Sequence, residues 1–290
     1  MLIRSIASKT MIVLEMIKIE HTVFALPFAF MGAFLAARGI PGISESFWIL
    51  AAMVGARSAA MAFNRLVDRE FDGANPRTEG RALPQQLVTP FFVKIFIILS
   101  SALLLFSAWM LNPLAFALSP VALIIVLGYS YTKRFTAYAH VVLGLALGIA
   151  PIGGWVAVRG SLELEPLLLC GAVLFWVGGF DIIYACQDEA FDRSSSLFSI
   201  PSRYGIRGAL IVSRLFHISM VLILLGAFYY YGLGWMSYIG LLCVAAGLIY
   251  EHSLLSPGDL SRINAAFFTV NGIISILLFV FVGIDLCLFV

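Results

Sequence analysis

Apolar residues in this chain are gathered into long runs that polar residues interrupt only at intervals. Nine runs approach the roughly 20 residues that a helix needs to cross the hydrocarbon core of a bilayer. They cover residues 20–38, 47–64, 91–111, 114–132, 139–158, 166–186, 209–231, 232–250 and 264–286. The alternating ten-residue segments of a membrane β-barrel have a different pattern. We therefore predict an all-α membrane protein with about nine transmembrane helices.

Composition supports the same class. The chain is 61% hydrophobic and 12% charged, whereas soluble domains carry about 25% charged residues. We predict one domain over residues 1–290, in which residues 1–19 form an amphipathic helix at the membrane surface. The expected surroundings are a lipid bilayer, and no nucleic acid partner is expected.

The basic residues predict an orientation. With nine spans and the N-terminus inside, 15 of the 18 lysines and arginines fall on the inner side, while Arg38 and Arg159 fall outside and Arg57 within a span. Cytoplasmic loops of membrane proteins carry this excess. The N-terminus is therefore predicted to be cytoplasmic.

Two acidic stripes follow apolar runs. The first is Asn64, Asp68 and Asp72, and the second is Asp181, Tyr184, Asp188 and Asp192. Helical side chains four residues apart lie on one face, so each stripe would present its carboxylates together. Four predicted spans separate the stripes, an even number, so both would face the same compartment. Asp188 and Asp192 lie 120 residues after Asp68 and Asp72, which suggests a pseudo-repeat of four spans.

The stripes indicate a cation and a phosphate ligand. Carboxylates that face one another repel, and Mg²⁺ accepts carboxylate ligands while it keeps positions for phosphate oxygens. Basic residues on the same side are candidates to bind a diphosphate: Arg77, Arg81, Lys133 and Arg134. For Lys133 and Arg134, the bias of basic residues toward the inner side is an equally good explanation.

A diphosphate bound by so apolar a protein most simply belongs to a lipid. Loss of diphosphate from an allylic prenyl diphosphate leaves a carbocation, which aromatic faces would stabilise. Candidate rings near the inner ends of spans are Phe63, Tyr129, Tyr131, Trp176, Phe180 and Tyr184. For each ring taken singly, core packing or a position at the lipid interface is the simpler explanation.

At these residues the chain resembles the UbiA family of intramembrane prenyltransferases. Asn64, Asp68 and Asp72 match that family's motif N-x-x-x-D-x-x-x-D, and the second stripe resembles D-x-x-Y-x-x-x-D-x-x-x-D. Residues 75–84, 129–134 and 148–151 also resemble the family. Residues 15–34, 55–57 and 199–205 look closest to 4-hydroxybenzoate polyprenyltransferases, especially the branch associated with menaquinone made through futalosine.

The resemblance implies nine transmembrane helices around a central cavity and Mg²⁺-dependent transfer of a polyprenyl chain from its diphosphate to an aromatic acceptor. That acceptor would be 4-hydroxybenzoate or a dihydroxynaphthoate, in ubiquinone or menaquinone biosynthesis at a bacterial inner membrane, with the active site cytoplasmic. Asp68 and Asp72 would hold one Mg²⁺, and Asp188 and Asp192 a second. Asn64, Arg77, Arg81, Lys133 and Arg134 would hold the diphosphate. Asp181 and Tyr184 would line the reaction centre.

Two other functions stay open from the residues alone. A cation-coupled transporter would also use paired carboxylates, although stripes at one membrane face beside arginines argue against it. A lipid phosphotransferase would also use Mg²⁺ and clustered aspartates.

Arg57 and Phe198 lie outside the two stripes. Arg57 lies within a span, seven residues before Asn64, and would either pair with a buried acid such as Asp181 or bind the carboxylate of an acceptor. Phe198 stands where the branch named above often has a histidine, so no role of that histidine carries over.

Overall fold

The computed structural model describes residues 12–13, 15–17 and 22–288, which are helical apart from their connections and contain no β-strand. The ten α-helices are α1 (Thr22–Ala37), α2 (Ile43–Ala74), α3 (Pro90–Leu111), α4 (Pro113–Thr132), α5 (Ala139–Arg159), α6 (Leu164–Ala185), α7 (Glu189–Ser194), α8 (Ile200–Tyr231), α9 (Trp235–Ser253) and α10 (Asn271–Leu288). A π-helical segment, Ala265–Val270, leads directly into α10. Only α7 is short, so nine long helices form the bundle within the described residues.

Each predicted span falls on one of these long helices, which confirms the fold class. Among the residues that the structure describes, seven helical segments are long and apolar enough to cross a membrane: Ile43–Ala74, Pro90–Leu111, Pro113–Thr132, Ala139–Arg159, Leu164–Ser194, Ile200–Tyr231 and Ala265–Leu288. The apolar part of α1, Ala25–Ala37, is shorter. The surface helix predicted for residues 1–19 lies largely outside the described residues.

The polar ends of two helices extend beyond the predicted spans. Helix α2 continues through Asp68 and Asp72 to Ala74, ten residues past the apolar run, because its carboxylates have partners described below. Helix α8 begins at Ile200 instead of residue 209, and Ser199 and Ser202 form a capping box at its N-terminus. The helix is kinked at Gly205, where φ is 71°. A positive φ is readily adopted by glycine, which has no Cβ.

Helices α1 and α5 approach so closely that only glycine fits between them. A Cβ on Gly154 would lie 1.9 Å from the carbonyl oxygen of Ala29, and one on Gly32 would lie 2.1 Å from that of Pro151. Small residues at such crossings are typical of membrane helix pairs. This contact fixes α5, whose first turn contributes to the site described next.

A buried polar network links α6, α8, α9 and α10. Trp176 donates to Asn271 Oδ1 at 2.7 Å, and Asn271 Nδ2 donates to Glu251 Oε1 at 3.0 Å. His217 Nδ1 lies 3.0 Å from His252 Nε2. Such bonds between apolar helices fix their relative rotation, since each unpaired polar atom would be costly at this depth.

Candidate active site

A polar cavity of about 490 Å³ lies where α2, α4 and α6 end and where α5 and α8 begin. Its lining carries five acidic and five basic side chains: Asp68, Asp72, Asp181, Asp188, Asp192, Arg57, Arg65, Arg77, Arg81 and Lys133. Both predicted stripes therefore face one cavity. A set of charges this dense within a helical bundle indicates a functional site.

The first stripe lies on one face of the continuous helix α2, as predicted. Asp68 is only 2% exposed, and its Oδ2 accepts bonds from Asn64 Nδ2 at 3.0 Å and Lys133 Nζ at 2.7 Å. Asp72 Oδ1 accepts from Arg81 Nη1 at 2.7 Å. Each buried carboxylate is therefore paired with a cation from another segment.

The second stripe does not lie on one helix. The prediction that both stripes are continuous helical faces is therefore wrong for the second one. Helix α6 ends at Ala185, a 3₁₀ turn covers Cys186–Asp188, and α7 begins at Glu189. Asp188 accepts from Asn75 Nδ2 at 2.9 Å, and Asp192 Oδ2 accepts from the Ser199 hydroxyl at 2.7 Å. The break places Asp188 beside the loop that follows α2.

Arg77 joins the two stripes from that loop. Its Nε donates to Asp188 Oδ1 at 2.8 Å while Nη2 donates to Oδ2, so the pair is bidentate. Nη1 donates to the Tyr184 hydroxyl at 3.1 Å. Burial lowers the pKa of Arg77, but the hydrogen bonds and charge of Asp188 raise it by more, and the net pKa is above its usual value. Arg77 therefore stays cationic in any ordinary assay buffer.

Asp181 is paired with a histidine that the sequence reasoning did not single out. His140 Nδ1 lies 2.7 Å from Asp181 Oδ2. The alternative in which Arg57 pairs with Asp181 is wrong. No hydrogen bond or ion pair to Arg57 occurs among the described residues, and its buried Nε lacks a partner.

Arg57 instead lies at the junction of two cavities. With Tyr129 and Leu147 it lines both the polar cavity and an apolar chamber of about 330 Å³ between α1, α2, α3, α4 and α5. The chamber walls are otherwise almost entirely aliphatic, with residues such as Ala60, Leu104 and Ile125. A ligand with a polar head and an apolar tail would fit this pair of cavities.

Several predicted site residues lie elsewhere. Arg134 is not among the cavity-lining residues; its Nη2 donates to the Val67 carbonyl at 2.7 Å and lies 4.0 Å from Asp68 Oδ1. Of the six candidate rings, Tyr129, Phe180 and Tyr184 line the cavity, and Phe63, Tyr131 and Trp176 do not.

The cavity also contains residues that the motifs did not reveal. Arg65 is 8% exposed and donates to Asn64 Oδ1 and to the Met16 carbonyl, at 3.4 Å each. Phe267 stacks on Tyr184 with ring centroids 4.2 Å apart. Phe198 lines the cavity and donates its N–H to the Lys133 carbonyl at 2.7 Å. Arg65 could have been identified from the sequence, because it is a basic residue next to Asn64. The contacts of Phe267 and Phe198 could not, because they involve residues far away in the sequence.

The aspartates fit a hard cation in their chemistry. Asp68 Oδ1 and Asp72 Oδ2 are buried and accept no hydrogen bond, which leaves two carboxylate oxygens of the kind that Mg²⁺ binds. Within the described residues, no three acidic, histidine or cysteine side chains are already gathered as a metal site. Asp68, Asp72 and Asp188 are each paired with a lysine or an arginine instead.

These features define an integral membrane protein with a charged cavity at one end of its helical bundle and an apolar chamber that shares lining residues with that cavity. The chain belongs to the UbiA prenyltransferase family, whose model matches residues 25–273, and it is therefore a prenyltransferase. It is 32% identical over 241 residues to a 4-hydroxybenzoate octaprenyltransferase of Aeromonas salmonicida, covering 82% of each chain. A protein of the same description from Methylobacillus flagellatus is 36% identical over 172 residues, 58% of each chain.

Solved structures agree with this assignment. A UbiA homolog from Aeropyrum pernix K1, in its apo form, superposes with a TM-score of 0.84 at 35% identity, covering 92% of this chain and 98% of that one. A UbiA homolog from Archaeoglobus fulgidus bound to DMAPP and Mg²⁺ gives a TM-score of 0.75 at 21% identity, covering 96% and 99%. At that identity the second comparison shows the shared fold alone.

Proposed function

We propose that the protein transfers a polyprenyl chain from polyprenyl diphosphate to an aromatic acid, in a reaction that depends on Mg²⁺. The observation that carries this proposal is that the charged cavity and the apolar chamber share the lining residues Arg57, Tyr129 and Leu147. The diphosphate would lie among the basic side chains and the prenyl tail among the aliphatic ones. The named activity of the Aeromonas salmonicida relative supports 4-hydroxybenzoate as acceptor.

The charge balance of the cavity supports a role for metal. Its five carboxylates and five basic groups cancel, and Lys133, Arg81 and Arg77 are already paired with aspartates. For these bases to turn to phosphate oxygens, the carboxylates need other cations. Asp68 and Asp72 would hold one Mg²⁺ and Asp188 and Asp192 another, and the metal would supply positive charge beside the leaving diphosphate.

The bases would then bind the diphosphate. Arg77 and Arg81 come from the loop after α2 and Lys133 from the end of α4, so they reach the cavity from different sides. Asn64 would keep Asp68 oriented through its 3.0 Å bond. Arg134 would act indirectly, because it binds the α2 backbone.

The reaction would begin when the C–O bond to the diphosphate breaks and the diphosphate leaves with the electron pair. Tyr184, Phe180 and Phe267 lie on one wall, with Phe180 and Phe267 centroids 5.2 Å apart, and their faces would stabilise the allylic cation. A ring carbon of the acceptor would form the new C–C bond, and the ring would lose the proton from that carbon.

The acceptor would be held by two groups. Arg57 has a guanidinium without a partner among the described residues, lies at the cavity junction and would bind the acceptor's carboxylate. Asp181 would contact the opposite side of the acceptor, near its hydroxyl. A dihydroxynaphthoate carries the same two functional groups, so it remains a second candidate substrate, which would place the protein in menaquinone instead of ubiquinone biosynthesis.

The charge distribution supports the location that we propose. The excess of basic residues on one side supports a cytoplasmic N-terminus and a cytoplasm-facing site in a bacterial inner membrane. Transport of a cation, considered above, is less favoured, because the five basic side chains that line the same cavity favour an anionic ligand.

Binding measurements test whether Mg²⁺ and diphosphate together replace the ion pairs between the aspartates and the basic side chains. Prenyl diphosphate and Mg²⁺ should each raise the affinity of the purified protein for the other, because both are needed to separate the ion pairs. Equal affinity for prenyl diphosphate with Mg²⁺ and with excess chelator would contradict the proposed site.

A further inference from the structure

His140 contacts two functional segments at once. It lies in the first turn of α5, is 4% exposed, and places its ring between Asp181 on α6 and the start of α8. Nδ1 lies 2.7 Å from Asp181 Oδ2. On the other side of the ring, the backbone N–H of Ile200 donates to Nε2 at 3.3 Å.

These two contacts determine which ring nitrogen carries the hydrogen. A backbone N–H can only donate, so Nε2 must be the unprotonated nitrogen that accepts from Ile200. Nδ1 therefore carries the hydrogen and donates it to Asp181. The backbone N–H at the start of α8 therefore selects the tautomer of His140, since the hydrogen bond made by one ring nitrogen commonly sets the protonation of the other.

The bond leaves one oxygen of Asp181 for a ligand. The side chain is 25% exposed and lines the polar cavity, and no residue that the structure describes donates to Oδ1. With Oδ2 held by His140, the carboxylate cannot turn freely. Oδ1 is then presented to whatever occupies the cavity.

We propose that His140 is a positioning residue for prenyl transfer, which holds Asp181 oriented toward the aromatic acceptor. This inference rests on the function proposed above. Asp181 Oδ1 receives the proton that the acceptor's ring carbon loses after C–C bond formation, and the electrons of that C–H bond return to the ring. His140 itself contacts no reacting atom.

The competing explanation is that His140 serves only to cap α8 through Ile200. Two substitutions separate the contacts. In His140→Asn the side-chain amide nitrogen takes the place of Nδ1 and keeps the donor to Asp181, but the acceptor for Ile200 is lost. In His140→Gln the amide oxygen takes the place of Nε2 and accepts from Ile200, but the donor to Asp181 is lost.

The experiment measures kcat and both KM values for wild type, His140→Asn and His140→Gln, with farnesyl diphosphate, 4-hydroxybenzoate and Mg²⁺. We expect kcat of His140→Gln to fall by roughly 10- to 100-fold, with the KM for farnesyl diphosphate unchanged and with His140→Asn substantially more active. Equal losses in the two variants, a greater loss in His140→Asn, or a raised KM for farnesyl diphosphate would overturn the proposal. Failure of both variants to fold would also overturn it and make His140 a scaffold residue.

An Asp181→Asn background shows whether His140 acts through Asp181. Adding His140→Gln to Asp181→Asn should lower kcat by less than about twofold, since the partner has already been changed. Independent, multiplying losses would contradict the inference. The wild-type measurement distinguishes failure of the proposed function from failure of the role of His140. Absence of prenylated product from wild type refutes the function. An active wild type, with equal kcat in His140→Asn and His140→Gln, refutes only the role of His140.

Discussion

Replacement of Arg57 by leucine tests the part of the site that decides the acceptor. Arg57 lines the junction of the two cavities, and its Nε is buried without a partner among the described residues. In the Arg57→Leu variant, the acceptor's carboxylate would face aliphatic walls with no counter-charge. One charge-assisted hydrogen bond contributes about 1.5–3 kcal/mol, which corresponds to roughly a 10- to 150-fold rise in the KM for 4-hydroxybenzoate.

The assay compares carboxylated and neutral acceptors at saturating prenyl diphosphate. A neutral phenol of similar size, such as 4-hydroxybenzamide, should lose less than about threefold in kcat/KM in the variant, because it has no charge for Arg57 to bind. Arg57→Lys should be intermediate, since lysine keeps the charge but cannot form a bidentate pair. Arg69→Leu is the matched control: Arg69 lies on the same helix with its side chain 47% exposed and should leave both acceptors unchanged.

Two outcomes would refute this role. An equal loss of kcat/KM with both acceptors would mean that Arg57 does not bind the carboxylate. A large fall in thermal stability of Arg57→Leu in detergent would mean that the side chain supports the bundle.

Three further predictions concern the metal, the diphosphate and the bundle. Asp68→Asn should lower kcat by at least about 100-fold, because it removes charge from the proposed metal site; near-normal turnover would contradict that site. Arg77→Ala should raise the KM for prenyl diphosphate by roughly tenfold or more without changing that for the acceptor, whereas Arg193→Ala, with a side chain 56% exposed, should change neither; an effect of Arg77→Ala on the acceptor alone would refute the assignment. Asn271→Leu should lower the free energy of unfolding by about 1–3 kcal/mol, because Trp176 Nε1 loses its acceptor; unchanged thermal stability would show that the network is not needed for the fold.

The helices and the first stripe were predictable because their signals are local. Long apolar runs identify membrane helices by length and composition, and the four-residue spacing of Asn64, Asp68 and Asp72 needs only helical geometry. The second stripe does not follow from helical spacing. The helix breaks at Cys186–Asp188, where Asp188 turns to the loop residues Asn75 and Arg77, which lie 113 and 111 positions earlier in the chain.

The pairing of charges was also beyond the sequence. Lys133 and Asp68 are 65 residues apart, so no spacing rule connects them, and basic residues near acidic stripes are equally compatible with binding phosphate or with neutralising carboxylates. His140 gave a weak signal, as a titratable residue at the start of an apolar run. Its partners, Asp181 and Ile200, become evident only when α5, α6 and α8 pack together.

Product formation by the purified wild-type protein measures prenyl transfer itself. The protein in lipid vesicles is incubated with a polyprenyl diphosphate and either 4-hydroxybenzoate or a dihydroxynaphthoate, with Mg²⁺ or with excess chelator, and the products are identified by mass. We predict that one acceptor gains a prenyl group in place of one ring hydrogen, with release of one diphosphate, only when Mg²⁺ is present. Absence of prenylated product with both acceptors, or equal product in chelator, would refute Mg²⁺-dependent prenyl transfer by this protein.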